Sequence, residues 1–366
     1  MPFCVRRCGY CAFVTYAEGE VGDPDAHEHW AGAARREVAL ADRILGPERP
    51  PLTSVFVGGG TPTMLDPALL AGVLATISRH FDTAPDLEVT VEANPDGLRD
   101  GQLMRLRHAG ATRMSFGMQS AAPRVLSLLD RTHDPERAPL AVAEARAAGF
   151  DHVSVDLIYG TPGERPSDWT RSLDAALATD VDHLSAYALG IEPSTKLAAR
   201  VRRGELPTPS DDEAADRYEV LDATCAAAGL SWYEVSNWAR SPSSHCRHNL
   251  LYWRNHHWWG IGPGAHSHVG GVRWWNPAGL DDWATPWAED RSPAAGHEVL
   301  DDEQRSMERV LLGIRLAEGL AREFVPRPDA VDGLIADGLV RVGNDRIVLT
   351  TTGRLLADLV VGRLAG

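Results

Sequence analysis

Between about residues 24 and 230 the apolar positions recur with two alternating periods. Spacings of three and four predict helices at 25–45, 67–80, 101–109, 135–148, 166–178 and 210–228. Strand-like stretches lie between them: "TSVFVGGG" (53–60), "LEVTVEANP" (87–95), "RMSFGMQS" (113–120), "HVSVDLIYG" (152–160) and "HLSAYALG" (183–190). Strands separated by helices predict βαβ units and a parallel sheet, open or curled. With a strand expected to lead into Cys4 the count is about six. That is too few for a closed eight-stranded barrel, and a partial barrel with a lateral opening fits it.

The strands carry a second regularity. Leu87, Val89 and Val91 alternate with Glu88, Thr90 and Glu92. Met114, Phe116 and Met118 alternate with Arg113, Ser115, Gly117 and Gln119, and Val153, Val155 and Leu157 with Ser154 and Asp156. A parallel sheet covered on both faces reads apolar on both. One small-and-polar face instead predicts a polar cavity inside a curled sheet. An antiparallel sheet with one wet face would show the same alternation, but the intervening helices argue against it. The strands close on "GGG" (58–60), Glu92, Gln119 and Asp156. Ligands of parallel α/β folds bind at that edge, so these ends are expected to converge.

The pattern changes after residue 230. Residues 231–276 are dense in Trp, His, Gly and Asn, 283–296 reads as a surface connection, and "DDEQRSMERVLLGIRL" begins an amphipathic helix. A helix at 328–337, a strand pair around "GNDR" and a last helix at 352–364 complete a small winged-helix-like unit. The expected organisation is therefore 1–230, 231–299 and 300–366.

Composition narrows the chemistry. The chain has 366 residues, 44% of them hydrophobic, with a net charge of −15. That charge weighs against a dedicated nucleic-acid binder. No apolar run reaches transmembrane length and no signal-peptide pattern opens the chain, which predicts a cytoplasmic protein. Thiols stay reduced there, so clustered cysteines point to metal or catalysis. Three of the five cysteines are Cys4, Cys8 and Cys11. C-x3-C-x2-C suits a loop around an iron–sulfur cubane, three thiolates leaving one of four irons open. A zinc site would instead need a fourth ligand, such as His27 or His29. Spacing alone leaves both open.

The cysteine triplet followed by "GGGTP" (58–62) resembles the radical S-adenosylmethionine (SAM) superfamily. With "VEANP", "SFGMQS", "DLIYGTPG" and "HNLLYWRN…GIGPGAHS", the chain resembles the anaerobic coproporphyrinogen III oxidase family, most closely its haem-chaperone branch. The resemblance spans nearly the whole chain. It implies a partial (β/α)6 radical SAM barrel, a [4Fe-4S] cluster on Cys4, Cys8 and Cys11, and SAM contacts at Gly59, Gly60, Thr61, Glu92, Gln119, Arg131 and Asp156. Bland roles stand beside these: a surface cap for Arg131, a structural amide for Gln119, internal ion pairs for Glu92 and Asp156. Tyr10 or Phe13 is placed to flank the adenine. Relatives also carry a strand ending in Y-x-H-x-P-[FW]-C before the first cysteine. This chain starts at Met1-Pro2, which implies that the first barrel strand is missing and that the cluster is held poorly.

The oxidase branch has a further cysteine two residues after the third, where this chain has Phe13. The chaperone branch is implied, with haem as cargo, an unidentified acceptor protein and a reductant for the cluster; the oxidase is the alternative. Haem needs an aromatic pocket and often an axial His or Cys. His245, His248, His256, His257, His266, His268 and Cys246 lie among Tyr252, Trp253, Trp258, Trp259, Trp274 and Trp275. His248 is the preferred axial ligand, while Arg247, Arg254 and Arg273 are candidate propionate partners. The competing reading is that this segment seals the barrel's side opening and His248 caps a turn. Cys225 is expected in the core.

Overall fold

Two short parallel strands, β1 (Phe3–Cys4) and β2 (Tyr16–Ala17), bracket the three-cysteine loop in this computed structural model, which describes residues 1–286 and 291–366. β1 stands outside the main sheet. That sheet runs β3 (Leu52–Val57), β4 (Thr83–Ala93), β5 (Arg113–Gln119), β6 (His152–Tyr159) and β7 (His183–Ala188), all parallel. An antiparallel hairpin, β8 (Ser231–Glu234) and β9 (Asn237–Ala239), completes it, with β9 against β7. The curled sheet thus is a partial barrel of five parallel strands and a hairpin, and β1, which leads into Cys4, is not one of its strands. The hairpin also carries the sheet past residue 230, because the aromatic composition of 231–239 hides two short strands.

The helices are α1 (Ala26–Leu45), α2 (Pro67–His80), α3 (Gln102–His108), α4 (Pro123–Leu128), α5 (Arg137–Ala147), α6 (Pro166–Leu177), α7 (Lys196–Arg202) and α8 (Asp211–Ala227). The six predicted helices form within about two residues of their expected ends. α4 and α7 were not anticipated, being too short to show a period. Val89, Val91, Met114, Phe116, Val153, Val155 and Leu157 are buried in the cluster that also holds Leu70, Leu106, Ala141 and Trp169. Each such burial contributes about 1.5–3 kcal/mol before ordering entropy is counted.

The opposite strand face lines a polar lumen. Glu88, Thr90, Arg113, Ser115, Ser154, His183 and Ser185 are all buried there. The β3–β4 register pairs Ser54 with Glu88 and Phe56 with Thr90, which turns Ser54 and Phe56 inward too. Helix α9 (Arg247–Trp253) lies against β3 and covers the open side of the half-barrel. At the amino end of the strands Arg113 Nη2 donates to the carbonyls of Ser244 and His245, at 2.9 and 3.0 Å. Its Nε donates to Glu88 Oε2 at 3.2 Å. Glu88 Oε1 accepts from the His248 amide at 3.2 Å and from Cys246 Sγ at 3.6 Å. This buried pair holds residues 244–248 across the barrel floor.

Strands β10 (His266–Val269), β11 (Val272–Trp275) and β12 (Gly296–Val299) form an antiparallel sheet, with α10 (Leu280–Ala284) between the last two. The surface connection expected at 283–296 needs correction at its start. Trp283 is wholly buried and donates Nε1 to Glu37 Oε2 at 2.9 Å. Residues 287–290 of that stretch lie outside the described residues. The last part of the chain comprises α11 (Asp302–Gly313), β13 (Leu320–Ala321), α12 (Ala330–Ala336), β14 (Val340–Gly343), β15 (Arg346–Leu349), α13 (Thr351–Leu355) and α14 (Ala357–Ala365). It has its own core around Val310, Leu334, Ile347 and Val360. Arg354 fastens it to the barrel, donating to Tyr218 Oη and both carboxylate oxygens of Asp222 while lying 4.4 Å over the Trp232 ring.

Candidate functional site

The cysteine loop sits at the carboxyl end of the parallel strands. Thr61 Oγ1 lies 3.8 Å from Cys4 Sγ and Arg131 Nη1 lies 3.6 Å from Cys8 Sγ. Backbone pairing fixes the approach: Gly60 N donates to Met1 O and Thr61 N to Phe3 O, both at 2.7 Å. A side chain at Gly60 would put its Cβ 2.5 Å from Phe3 O, so only glycine lets the two segments meet. Gly59 has φ +105° and donates its N–H to Glu92 Oε2 at 3.1 Å.

The predicted strand ends do converge. Asp156 accepts from Ser115 Oγ at 3.0 Å, and Glu92 lies close enough for the two carboxylates to repel. Burial, reinforced by Asp156, pushes Glu92 up to about 7. Burial pushes Asp156 up to about 6, against bonds from Ser185 and Ser115 and the charge of Arg131. Burial is the main cause in both, and a cationic ligand would favour their charged forms. Gln119 takes φ +62°, rare without a structural demand on a non-glycine residue. A Cβ on Gly117 would fall 2.8 Å from Gln119 Nε2 and 3.3 Å from Arg131 Nη2, so both polar groups lie over that bare backbone. Arg131 also donates to Gly117 O at 2.6 Å. Asn94, which sequence reasoning missed, donates to Thr61 Oγ1 at 3.1 Å. Its signal was present, two residues beyond Glu92 in "VEANP".

The donor set fits a cubane better than zinc. Cys4 feels the charges of Cys8 and Cys11. Neither proposed fourth ligand is at hand: His29 is bonded to Asp23 at 2.6 Å, and His27 packs on Phe3 at 4.4 Å. Of the two aromatics expected to flank an adenine, one is held in the fold and the other is free in solvent. Tyr10 is packed against the Ala122–Val125–Leu129–Ile158 cluster, and Phe13 is 69% exposed.

On α9 His248 stacks on Phe56, with 4.9 Å between centroids. Its Nδ1 bonds Ser54 Oγ at 3.1 Å and its Nε2 bonds Tyr252 Oη at 2.9 Å. Burial lowers its pKa to about 4, so the ring is neutral. The helix does cover the side opening, as the competing reading held, and both His248 nitrogens are occupied. Tyr252 lines a cleft of about 360 Å³ with Trp258, Trp275, His266, Leu311 and Leu312. Cys246 is buried, its thiol directed at Glu88 and pushed up to about 12. Cys225 is in the core. The three candidate arginines are already paired: Arg247 with Asp86, Arg254 with Glu318, and Arg273 with Glu298 and Glu308.

Residues 1–176 match the radical SAM superfamily. The chain is 50% identical over 370 residues to heme chaperone HemW of Mycobacterium tuberculosis, covering all of this chain and 93% of the relative. It is 32% identical over 378 residues to heme chaperone HemW of Bacillus subtilis, covering 100% and 98%. The structure of coproporphyrinogen III oxidase (HemN) from Escherichia coli, a radical SAM enzyme, superposes with a TM-score of 0.83 at 21% identity. That match covers 100% of this chain and 88% of the other, and shows a shared fold.

Proposed function

Since the chain belongs to the radical SAM superfamily, in the haem-chaperone branch of the coproporphyrinogen III oxidase-like family, we propose that it binds haem and passes it to an acceptor protein. The acceptor is unidentified, and a reducing compartment, the cytoplasm, is the proposed place of work. Among the described residues no helix is long and apolar enough to cross a membrane. Cys4, Cys8 and Cys11 would hold a [4Fe-4S] cluster, and Gly59, Gly60, Thr61, Glu92, Gln119, Arg131 and Asp156 would hold SAM. When bound, the cluster supplies a one-electron couple and an open iron for SAM, and takes its electron from a separate reductant. The protein's own groups act by placement: Glu92 and Asp156 attract the cationic part of the ligand, and Arg131 neutralises a carboxylate. The observation carrying the haem reading is α9, which brings His248 and Tyr252 together beside an aromatic-walled cleft.

The test uses anaerobically purified protein with its cluster intact. Stoichiometric haem uptake, followed by transfer to an apo-haemoprotein, supports the reading. Conversion of coproporphyrinogen III to protoporphyrinogen with SAM and reductant would replace it with the oxidase.

A further inference from the structure

His248 is poorly placed to meet haem iron itself. Its ring is half-buried against Phe56, and both nitrogens are engaged. Tyr252 is different. It is 39% exposed, it lines the cleft, and its hydroxyl touches His248 Nε2. We propose that Tyr252 is the axial ligand of the haem iron, and that His248 is a positioning residue that holds the Tyr252 oxygen. This rests on the haem reading above.

The cleft suits one edge of a macrocycle. Trp258 stands edge-on to Tyr252 at 4.7 Å, and Leu311 and Leu312 supply apolar wall. A volume of about 360 Å³ is at the low end for a ligand pocket, so much of a tetrapyrrole would remain outside, as cargo awaiting transfer should. Glu298 and Glu308 line the same cleft, and Arg273 is already paired with both. The cleft therefore suits an apolar edge of the macrocycle better than its propionates.

The exchange balances without a redox step. Ferric haem arrives carrying hydroxide. The phenol O–H bond breaks, an iron–oxygen bond forms to the phenolate, and hydroxide leaves with that proton as water; iron stays ferric. Tyrosinate is an established haem ligand type. His248 stays neutral and keeps one tautomer. Before and after exchange Nε2–H donates to the Tyr252 oxygen and Ser54 Oγ donates to Nδ1, so the phenol proton is free to leave with hydroxide. Burial, then Cys246 and Glu92, push the free Tyr252 phenol up to about 12, so the phenolate forms only on iron, while burial keeps the imidazole uncharged.

The test titrates ferric haem into the cluster-loaded full chain and reads absorption, electron paramagnetic resonance and resonance Raman spectra. Wild type is expected to show an iron–phenolate band that shifts when the protein carries ring-deuterated tyrosine, a result independent of any variant's folding. Tyr252→Phe should lose that band and bind haem at least tenfold more weakly, with its iron content unchanged. His248→Ala should keep the band at a shifted frequency. A Tyr252→Phe spectrum identical to wild type overturns the proposal. If haem ligation is lost only in His248→Ala or only in His266→Ala, the proposal falls and the haem reading stands. If wild type takes up no haem, both fall.

Discussion

Asn276 Nδ2 donates to Glu37 Oε1 at 2.8 Å, joining positions 239 residues apart. The same carboxyl accepts from Gly262 N and Trp283 Nε1, each at 2.9 Å, so one side chain of α1 gathers the loop after α9 and helix α10. Removing it leaves Gly262 N and Trp283 Nε1 without partners and Asn276 Nδ2 with only the Gly262 carbonyl, each unpaired buried donor costing about 1–3 kcal/mol. Glu37→Ala should therefore lower the denaturant midpoint sharply, by about 3 kcal/mol or more of unfolding free energy.

Glu37 also gives stability a pH dependence. Burial raises its folded pKa to about 7, against 4.5 for the free side chain. Between those values the folded form holds a proton that the unfolded chain has released. Stability contributed by the protonated form is thus full below about 4.5 and falls as pH rises toward 7. The difference between wild type and Glu37→Gln isolates this group from Glu92 and Asp156, whose pKa values are raised too. Denaturation curves from pH 4.5 to 7 should show wild type losing about 3 kcal/mol relative to the variant. Parallel curves would refute the shift.

Gly60→Ala should cost the cluster. The new Cβ meets Phe3 O at 2.5 Å and Phe3 N at 2.9 Å, displacing the strand that ends in Cys4. Gly22→Ala, which meets nothing within 4 Å, is the control. Iron per chain after anaerobic reconstitution should drop several-fold in the first and stay at wild-type level in the second.

Arg131→Met removes the contacts to Cys8 Sγ and Gly117 O while leaving all three thiols. A charge-assisted bond to a ligand carboxylate contributes about 1.5–3 kcal/mol. The SAM-induced change in the spectrum of the reduced cluster should require at least tenfold more SAM, at unchanged iron content. An unaltered titration would make Arg131 a structural cap.

Arg354→Met tests the latch on the last part of the chain. It leaves the partly buried Asp222 carboxylate with only Trp238 Nε1 as a partner, a loss below the about 3–5 kcal/mol of a fully buried pair. Limited proteolysis should then cut between residues 291 and 302 well before the barrel is attacked.

The barrel's polar lining and the convergence of Glu92, Gln119 and Asp156 were legible because strand alternation and the edge rule of parallel sheets are local. Helix ends were legible for the same reason: Pro67 and Pro166 each open a helix in the sequence as in the fold. What sequence hid was long-range. Ser54 meets His248 across 194 residues, which with the local bond to Tyr252 engages both imidazole nitrogens. Glu37 left a fainter trace, a lone acid on the face of α1 that carries Ala34, Val38 and Ala41. The left-handed backbone of Gln119 left none.

The clamp of Arg113 and Glu88 on residues 244–248 makes the barrel a blind vessel instead of a conduit. The polar lining is thereby left open only toward the strand ends that carry Glu92 and Asp156.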